Sequence, residues 1–333
     1  MSDGFEAAAE IARTARRAAE ACAGLDAAAT ARRLGGDGLL GVLAPEAVGG
    51  LALPLSVAAP VVAAAEAALL PFPLVEALLG ARLLAGRQDD LAAAIVAGEA
   101  ICTAAPAGAL RSEGGRLSGT VGHAPLGTAA RWLFAAVDGG GAALLDLHAN
   151  SVSVVEEPGL ELERPLARVA LQDAPAALLL DGAAWVTFQA DALLLRAAGA
   201  LGAAEHCMQR AIAHITDRKQ FGRALVSFQG LRFELARHKL ALEGARGTLG
   251  HALSVAGQDP CGQDVARLVA RVTVAEAAPV IVEGAIQLHG GMGFTWDLGL
   301  HRHLRRVKAA ALTLDTVAAR SALVERLDQL WAA

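Results

Sequence analysis

Two stretches of this 333-residue chain gather residue types that could grip a ligand. Arg218-Lys-Gln-Phe-Gly-Arg223, followed by Phe228-Gln229, puts a cation, an aromatic ring and a glycine where one helix-forming segment ends and the next begins. Gln287-Leu-His-Gly-Gly291-Met-Gly-Phe sets a side-chain amide shortly before two glycines. Both suit ligand contact as well as a turn in the chain. Metal chemistry is not indicated, because Cys22, Cys102, Cys207 and Cys261 are far apart, have no CxxC spacing and lack clustered histidines. Buried free thiols in a reducing compartment are expected instead.

The elements that must position these stretches are helical. Hydrophobic residues make up 54% of the chain and aromatics 4%, a balance that favours close-packed Ala/Leu helices over an aromatic-rich β protein. Twenty-nine basic and 34 acidic side chains are spread without a polybasic block, which argues against a nucleic-acid partner. Asp3, Glu6 and Glu10 stand where a secretory signal would be basic and then apolar. The apolar run from Val61 to Leu70 is interrupted by Glu66, closed by Pro71 and too short to span a bilayer, so a cytoplasmic protein is expected.

Three segments follow from the periodicity. Residues 1–98 read as a helical domain, with helices up to Leu34, from Ser56 to Leu70, from Leu74 to Ala85 and from Asp89 to Ala97. Between them Gly38 to Leu53 reads as a loop. Residues 99–190 lose the helical period; the strands expected are Ala100–Ala104, Arg116–Val121, Trp132–Val137, Ala142–Asp146, Val152–Glu156, Leu166–Leu171 and Ala177–Leu180. Residues 191–333 return to helical spacing and predict a four-helix bundle, its third helix kinked or opened at Pro279 and its fourth beginning near Leu300.

That order resembles the acyl-CoA dehydrogenase superfamily. Gly38-Leu-Leu-Gly-Val-Leu-Ala-Pro-Glu-Ala-Val-Gly-Gly50 is similar to the family's first-domain loop, Asp217-Arg-Lys-Gln-Phe-Gly-Arg223 to its RxxFG motif, and Gln287 to Phe294 to its QxxGG motif. The resemblance covers essentially the whole chain. It implies a mainly α fold with a small central β-domain and a C-terminal four-helix bundle, and FAD as cofactor. It also implies that Arg218, Phe221, Gln229, Gln287, Gly290 and Gly291 contact the FAD of a neighbouring subunit. Such contacts make chemical sense, because a pyrophosphate is matched by a planar cation, close backbone N–H groups and a helix N-terminus. A helix-ending turn would account for either motif alone; the two together point to FAD.

The family's reaction removes an α-proton with a carboxylate while a hydride leaves the β-carbon for the flavin. The base usually sits in a Tyr-Glu-Gly-Thr segment near the last helix, and here the corresponding stretch is Ala311-Leu-Thr-Leu-Asp-Thr316. A second seat used by some members falls at about Ala192, and neither position holds a glutamate. Asp191, Glu205, Asp297 and Asp315 remain as substitutes. Each has a plain alternative: Asp191 as a helix N-cap, Glu205 as a solvated or packed helix residue, Asp297 in a connector and Asp315 on a wet face. Where the family stacks a tryptophan and a threonine on the flavin ring, this chain has His123-Ala-Pro-Leu-Gly-Thr128.

Leu70-Pro-Phe-Pro-Leu-Val-Glu76 and Gly293-Phe-Thr-Trp-Asp297 resemble the short subunits of bacterial heterotetrameric acyl-CoA dehydrogenases, including those acting on steroid side-chain thioesters. The resemblance implies a longer catalytic partner in an α2β2 assembly, an acyl-CoA substrate and an electron-transfer flavoprotein as acceptor. A self-sufficient homo-oligomer with an unusual base and a non-catalytic scaffold stay open as alternatives. Arg302, Arg305 and Arg306 form a basic stretch, with Arg306 where the family usually has aspartate; a solvated helix face is expected there, with a phosphate contact as the alternative.

Overall fold

A computed structural model describes residues 2–257 and 260–332. The chain forms two compact units, residues 1–61 with 70–192, and residues 62–69 with 193–333.

The first unit opens with α1 (Ser2–Ala21) and α2 (Ala27–Gly36), the latter capped by Asp26, whose carboxylate accepts the Ala29 N–H at 2.7 Å. The Gly38 to Leu53 stretch is not an open loop. It turns twice as short 3-10 helix, at Leu39–Gly41 and Glu46–Val48, and buries Leu39, Leu40, Val42, Leu43, Ala44 and Val48. Next come α3 (Leu55–Ala67), α4 (Leu74–Leu84) and α5 (Asp89–Val96).

Seven strands follow: β1 (Cys102–Glu113), β2 (Arg116–Pro125), β3 (Trp132–Val137), β4 (Ala142–Asp146), β5 (Val152–Glu157), β6 (Leu166–Pro175) and β7 (Leu178–Leu180). They form one sheet in the order β5-β6-β2-β1-β3-β4-β7, in which only β1 and β3 run parallel. β1 runs nine residues past its expected end at Ala104 (113 − 104 = 9), tolerating Pro106 and Gly108 through a register shift between Ala105 and Leu110.

Helix α6 (Gly182–Asp217) starts well before residue 191, where helical spacing was expected to return. Asp181 caps it by accepting the Ala184 N–H at 2.8 Å. Trp185 and Phe188, which read like strand residues, stack at 5.0 Å, and Phe188 lies 5.5 Å from Phe134 of β3. Burial of two aromatic rings against the sheet outweighs their modest helix propensity.

The second unit holds the rest of α6 with α7 (Gln229–Ser254), α8 (Pro260–His289), α9 (Leu300–Leu314) and, beyond the four helices expected, α10 (Thr316–Ala332). Helix α8 is continuous through Pro279. The segment 62–69 joins this unit through two notches in α6. A Cβ on Gly199 would stand 2.7 Å from the Glu66 side chain, and one on Gly202 would stand 2.5 Å from the Ala63 carbonyl oxygen. Only glycine admits such close backbone approach.

Cys22, Cys102 and Cys207 are buried free thiols; burial pushes Cys207 up to about 12, so it stays protonated. The side chain of Cys261 lies outside the described residues, as do those of Asp3 and Glu6. Among the described residues no helix is long and apolar enough to cross a membrane, and no group of three His, Cys, Asp or Glu side chains could hold a metal ion.

Candidate functional site

Helix α6 ends at Asp217, and the Arg218 N–H donates to the His214 carbonyl at 2.9 Å. The chain then makes a two-residue hairpin, β8 (Lys219–Gln220) paired with β9 (Arg223–Ala224). Its loop residues, Phe221 and Gly222, have φ of +52° and +77°, the signs of a type I′ turn. The Leu225 N–H closes the structure on the Arg218 carbonyl at 2.9 Å.

Glycine suits this geometry, but phenylalanine does not, because its Cβ crowds the carbonyl at positive φ. Phe221 is also 91% exposed. A strained backbone that presents a bare ring makes sense if the ring meets something outside this chain. Phe221→Asn should therefore stabilise the lone chain by about 0.5–1 kcal/mol by relieving the strain; a melting temperature that falls would contradict this. Behind the tip, the Arg223 guanidinium lies 4.0 Å from the Phe228 ring centre, and Phe221 meets Phe228 edge-on at 6.3 Å. Phe228 is the N-cap of α7 and makes no side-chain capping bond, so the first N–H groups of α7, starting at exposed Gln229, are not taken by that side chain.

The second motif ends α8. Gln287 is exposed, His289 is buried, and Gly290 turns the chain at φ +61° into a 3-10 segment, Gly290–Phe294. The glycines divide by job. A Cβ on Gly293 would collide with the Ile286 carbonyl, so Gly293 is there for packing. At Gly290 and Gly291 a Cβ would meet nothing within 4 Å, which leaves an approachable backbone. Met292, Phe294 and Trp296 beside them are more than half exposed, at 54%, 71% and 69%.

The two motifs come together through a contact that the sequence reading missed. His214, in the last turn of α6, stacks on His289 with ring centres 4.5 Å apart and planes at 24°. Each histidine stands at the mouth of its motif, four residues before Arg218 and directly before Gly290. That shared placement was the available signal.

The four substitute carboxylates are scattered. Asp191 is no N-cap, since α6 begins at Gly182; it is buried within the helix and its carboxylate takes the Arg82 guanidinium of α4 at 2.5 Å. Glu205 pairs with Arg246 of α7 at 2.6 Å. Asp297 is exposed in the turn before α9. Asp315 is exposed, as expected for a wet face, sits at φ +45° between α9 and α10, and also caps α10 by accepting the Ala318 N–H at 3.1 Å.

In the sheet, His123 (φ +59°) donates its N–H to Glu157 at 3.0 Å, and Arg168 pairs with the same carboxylate at 2.8 Å. The Arg168 hydrogen bond, with that of His123, holds the Glu157 carboxyl below its usual range. Thr128 is exposed in the following turn. The basic stretch on α9 is not a solvated face at Arg306: this side chain is 1% exposed and forms an ion pair with Glu66 at 2.9 Å.

Comparisons with known proteins agree in one direction. The family described as "Acyl-CoA dehydrogenase, C-terminal domain" matches residues 191–313. Acyl-CoA dehydrogenase FadE34 of Mycobacterium tuberculosis is 30% identical over 276 residues, 82% of this chain and 38% of FadE34, so this chain spans well under half of that relative. Among solved structures, the Tcur3481-Tcur3483 steroid ACAD variant is 27% identical with a TM-score of 0.88, covering 99% of both chains. The ChsE4-ChsE5 complex from Mycobacterium tuberculosis shares the fold, with a TM-score of 0.86 at 24% identity over 98% of this chain and 97% of that one.

Proposed function

Because the chain belongs to the acyl-CoA dehydrogenase superfamily, we propose that it is a subunit of an FAD-dependent enzyme that introduces an α,β double bond into a CoA thioester. Its share of the work is to complete the flavin site of a longer catalytic partner. The observation that carries this reading is the convergence of the Arg218 hairpin and the Gly290-Gly291 turn at the His214–His289 stack.

The residues present there fit FAD. Arg218 is an exposed planar cation for paired bonds to a pyrophosphate, and Gln229 and Gln287 offer exposed amides. The open Gly290 and Gly291 backbone allows close approach by the same phosphates. Bound FAD supplies the hydride acceptor for the thioester β-carbon. Phe221 would cover the cofactor from water, and the hairpin would fix where its phosphates lie.

The proton-abstracting base is assigned to the partner. Asp191, Glu205 and Asp315 are engaged in an ion pair, an ion pair and a helix cap, and Asp297 lies in an exposed turn. A base needs reach and a tuned pKa as well as a carboxylate. The FadE34 match adds support, since the counterpart of this fold there is joined to more than its own length of further chain. The two-component names of the Tcur3481-Tcur3483 and ChsE4-ChsE5 structures favour a companion on a separate subunit. The steroid ACAD likeness makes a steroid-derived acyl-CoA the first substrate class to try, as a β-oxidation step in cytoplasmic lipid or steroid catabolism with an electron-transfer flavoprotein as acceptor.

The test is co-expression with a longer acyl-CoA dehydrogenase that carries the glutamate. The complex should be yellow and bleach anaerobically with acyl-CoA, while this chain alone is colourless and inactive. A lone chain that is yellow and active would establish the homo-oligomer instead, and a flavin-free complex would establish a scaffold.

A further inference from the structure

We propose that His214 and His289 are positioning residues whose stacked rings lock the end of α6 to the end of α8, holding the hairpin and the glycine turn at the spacing needed to grip an anionic ligand. The pair is an acid-sensitive clasp on that spacing. The identity of the ligand as FAD rests on the function proposed above, whereas the clasp does not.

The geometry couples the two motifs through the stacked rings. The His214 carbonyl accepts the Arg218 N–H, so the residue that carries the stacked ring also starts the hairpin. His289 lies 7% exposed, with Nδ1 2.7 Å from the Ala285 carbonyl oxygen. A carbonyl only accepts, so Nδ1 carries the proton and Nε2 the lone pair. The ring cannot swing away without giving up that bond, and the next residue is Gly290, where the turn begins.

The charges acting on His289 are cationic. Arg210 stands one turn before His214 on α6, and both residues oppose protonation of His289; Asp217 and Arg218 at the end of α6 are exposed. On α8 the ring's partner is the Ala285 carbonyl, and the 3-10 segment that follows has no ionisable side chain. Burial first, opposed by the Ala285 bond and assisted by His214 and Arg210, holds the His289 pKa below the ordinary histidine value. The sign follows from that depression. The clasp contributes fully above the unfolded histidine pKa of about 6.5, and its contribution is lost as pH falls through the lower folded value. Protonation then puts a cation against a second imidazole and a guanidinium, which favours separation of the rings.

Hydrogen exchange of the whole chain at pH 7.5 and 5.5, corrected for intrinsic rates, tests the clasp without any ligand. Residues 215–224 and 289–296 should both exchange about threefold to tenfold faster at pH 5.5, the range expected for losing a stacked aromatic pair. His289→Phe, which keeps a flat ring and removes the titrating imidazole, should exchange alike at both pH values. His214→Lys should be loose at both. A His289→Phe profile that keeps the pH response of the unsubstituted protein, or a response in one segment alone, overturns the clasp.

A second readout is FAD fluorescence released from the co-purified complex over the same pH range. Flavin release should rise with the exchange in the unsubstituted complex and not in His289→Phe. If the segments open together while flavin stays bound, and Arg218→Ala also leaves flavin bound, the clasp stands and the FAD reading fails.

Discussion

Arg306→Ala should destabilise the chain by about 3–5 kcal/mol, the range for removing one partner of a buried ion pair. The Arg306 side chain is 1% exposed and Glu66 9%, with Nη1 and Oε2 2.9 Å apart. Truncating the arginine leaves the glutamate in a place where water cannot repay its lost hydration. Gly199 is the reason Glu66 can be there at all, since a Cβ at that position would press on the glutamate stem. His303, one turn before Arg306 on α9, approaches the Ala67 carbonyl at 3.1 Å through Nε2, so the same segment is held at two points. Replacing both ions, as Arg306→Leu with Glu66→Leu, should recover most of the loss, because the penalty comes from the unpaired charge. Arg306→Lys should recover little, having no planar fork. Urea unfolding of the three variants measures this. A loss under about 1 kcal/mol for Arg306→Ala would mean that the pair is not desolvated as described.

Arg218→Ala should weaken FAD retention in the assembled enzyme about tenfold to a hundredfold, which corresponds to losing charge-assisted hydrogen bonds of about 1.5–3 kcal/mol. Its effect on folding should be small, within about 0.5 kcal/mol, because the side chain is exposed. Loss of flavin without loss of fold is what separates a ligand contact from a packing residue. Arg218→Lys should fall between, since a point charge attracts phosphate without the bidentate fit. Arg223→Ala is the useful comparison. That guanidinium lies on Phe228 at 4.0 Å, so its removal should loosen the hairpin rather than delete a phosphate contact.

Local pattern made much of the fold legible. β3 and β4 were readable to the residue at Trp132–Val137 and Ala142–Asp146, because two short continuous apolar runs are separated by the Asp138-Gly-Gly-Gly141 turn. The start of α6 was not readable. Ala-Trp-Val-Thr-Phe has strand-like residues, and only packing of Trp185 and Phe188 in the first unit makes it helix. The Gly38 to Leu53 stretch looked like a loop because its turns are short; its burial comes from contacts that its own sequence does not contain.

The site was legible as two motifs but not as one place. Glycine spacing and the arginine marked the segments, while the stack that joins them lies 75 residues apart in sequence (289 − 214 = 75). The same holds for Glu66 and Arg306. Arg306 read as part of a surface basic run because its neighbours Arg302 and Arg305 are also cationic, whereas the helix turns it inward. Asp191 read as a cap because α6 was expected to begin beside it; the earlier start turns it into an interior ion-pair partner of Arg82.

The central claim is that this chain's hairpin completes a flavin site whose chemistry belongs to a longer subunit. The most direct measurement is the flavin absorbance per mole of complex after co-expression with that subunit, for the unsubstituted chain and for Arg218→Ala. The account predicts a yellow complex in the first case and a largely colourless complex of unchanged subunit stoichiometry in the second. An Arg218→Ala complex with its full flavin content would contradict it.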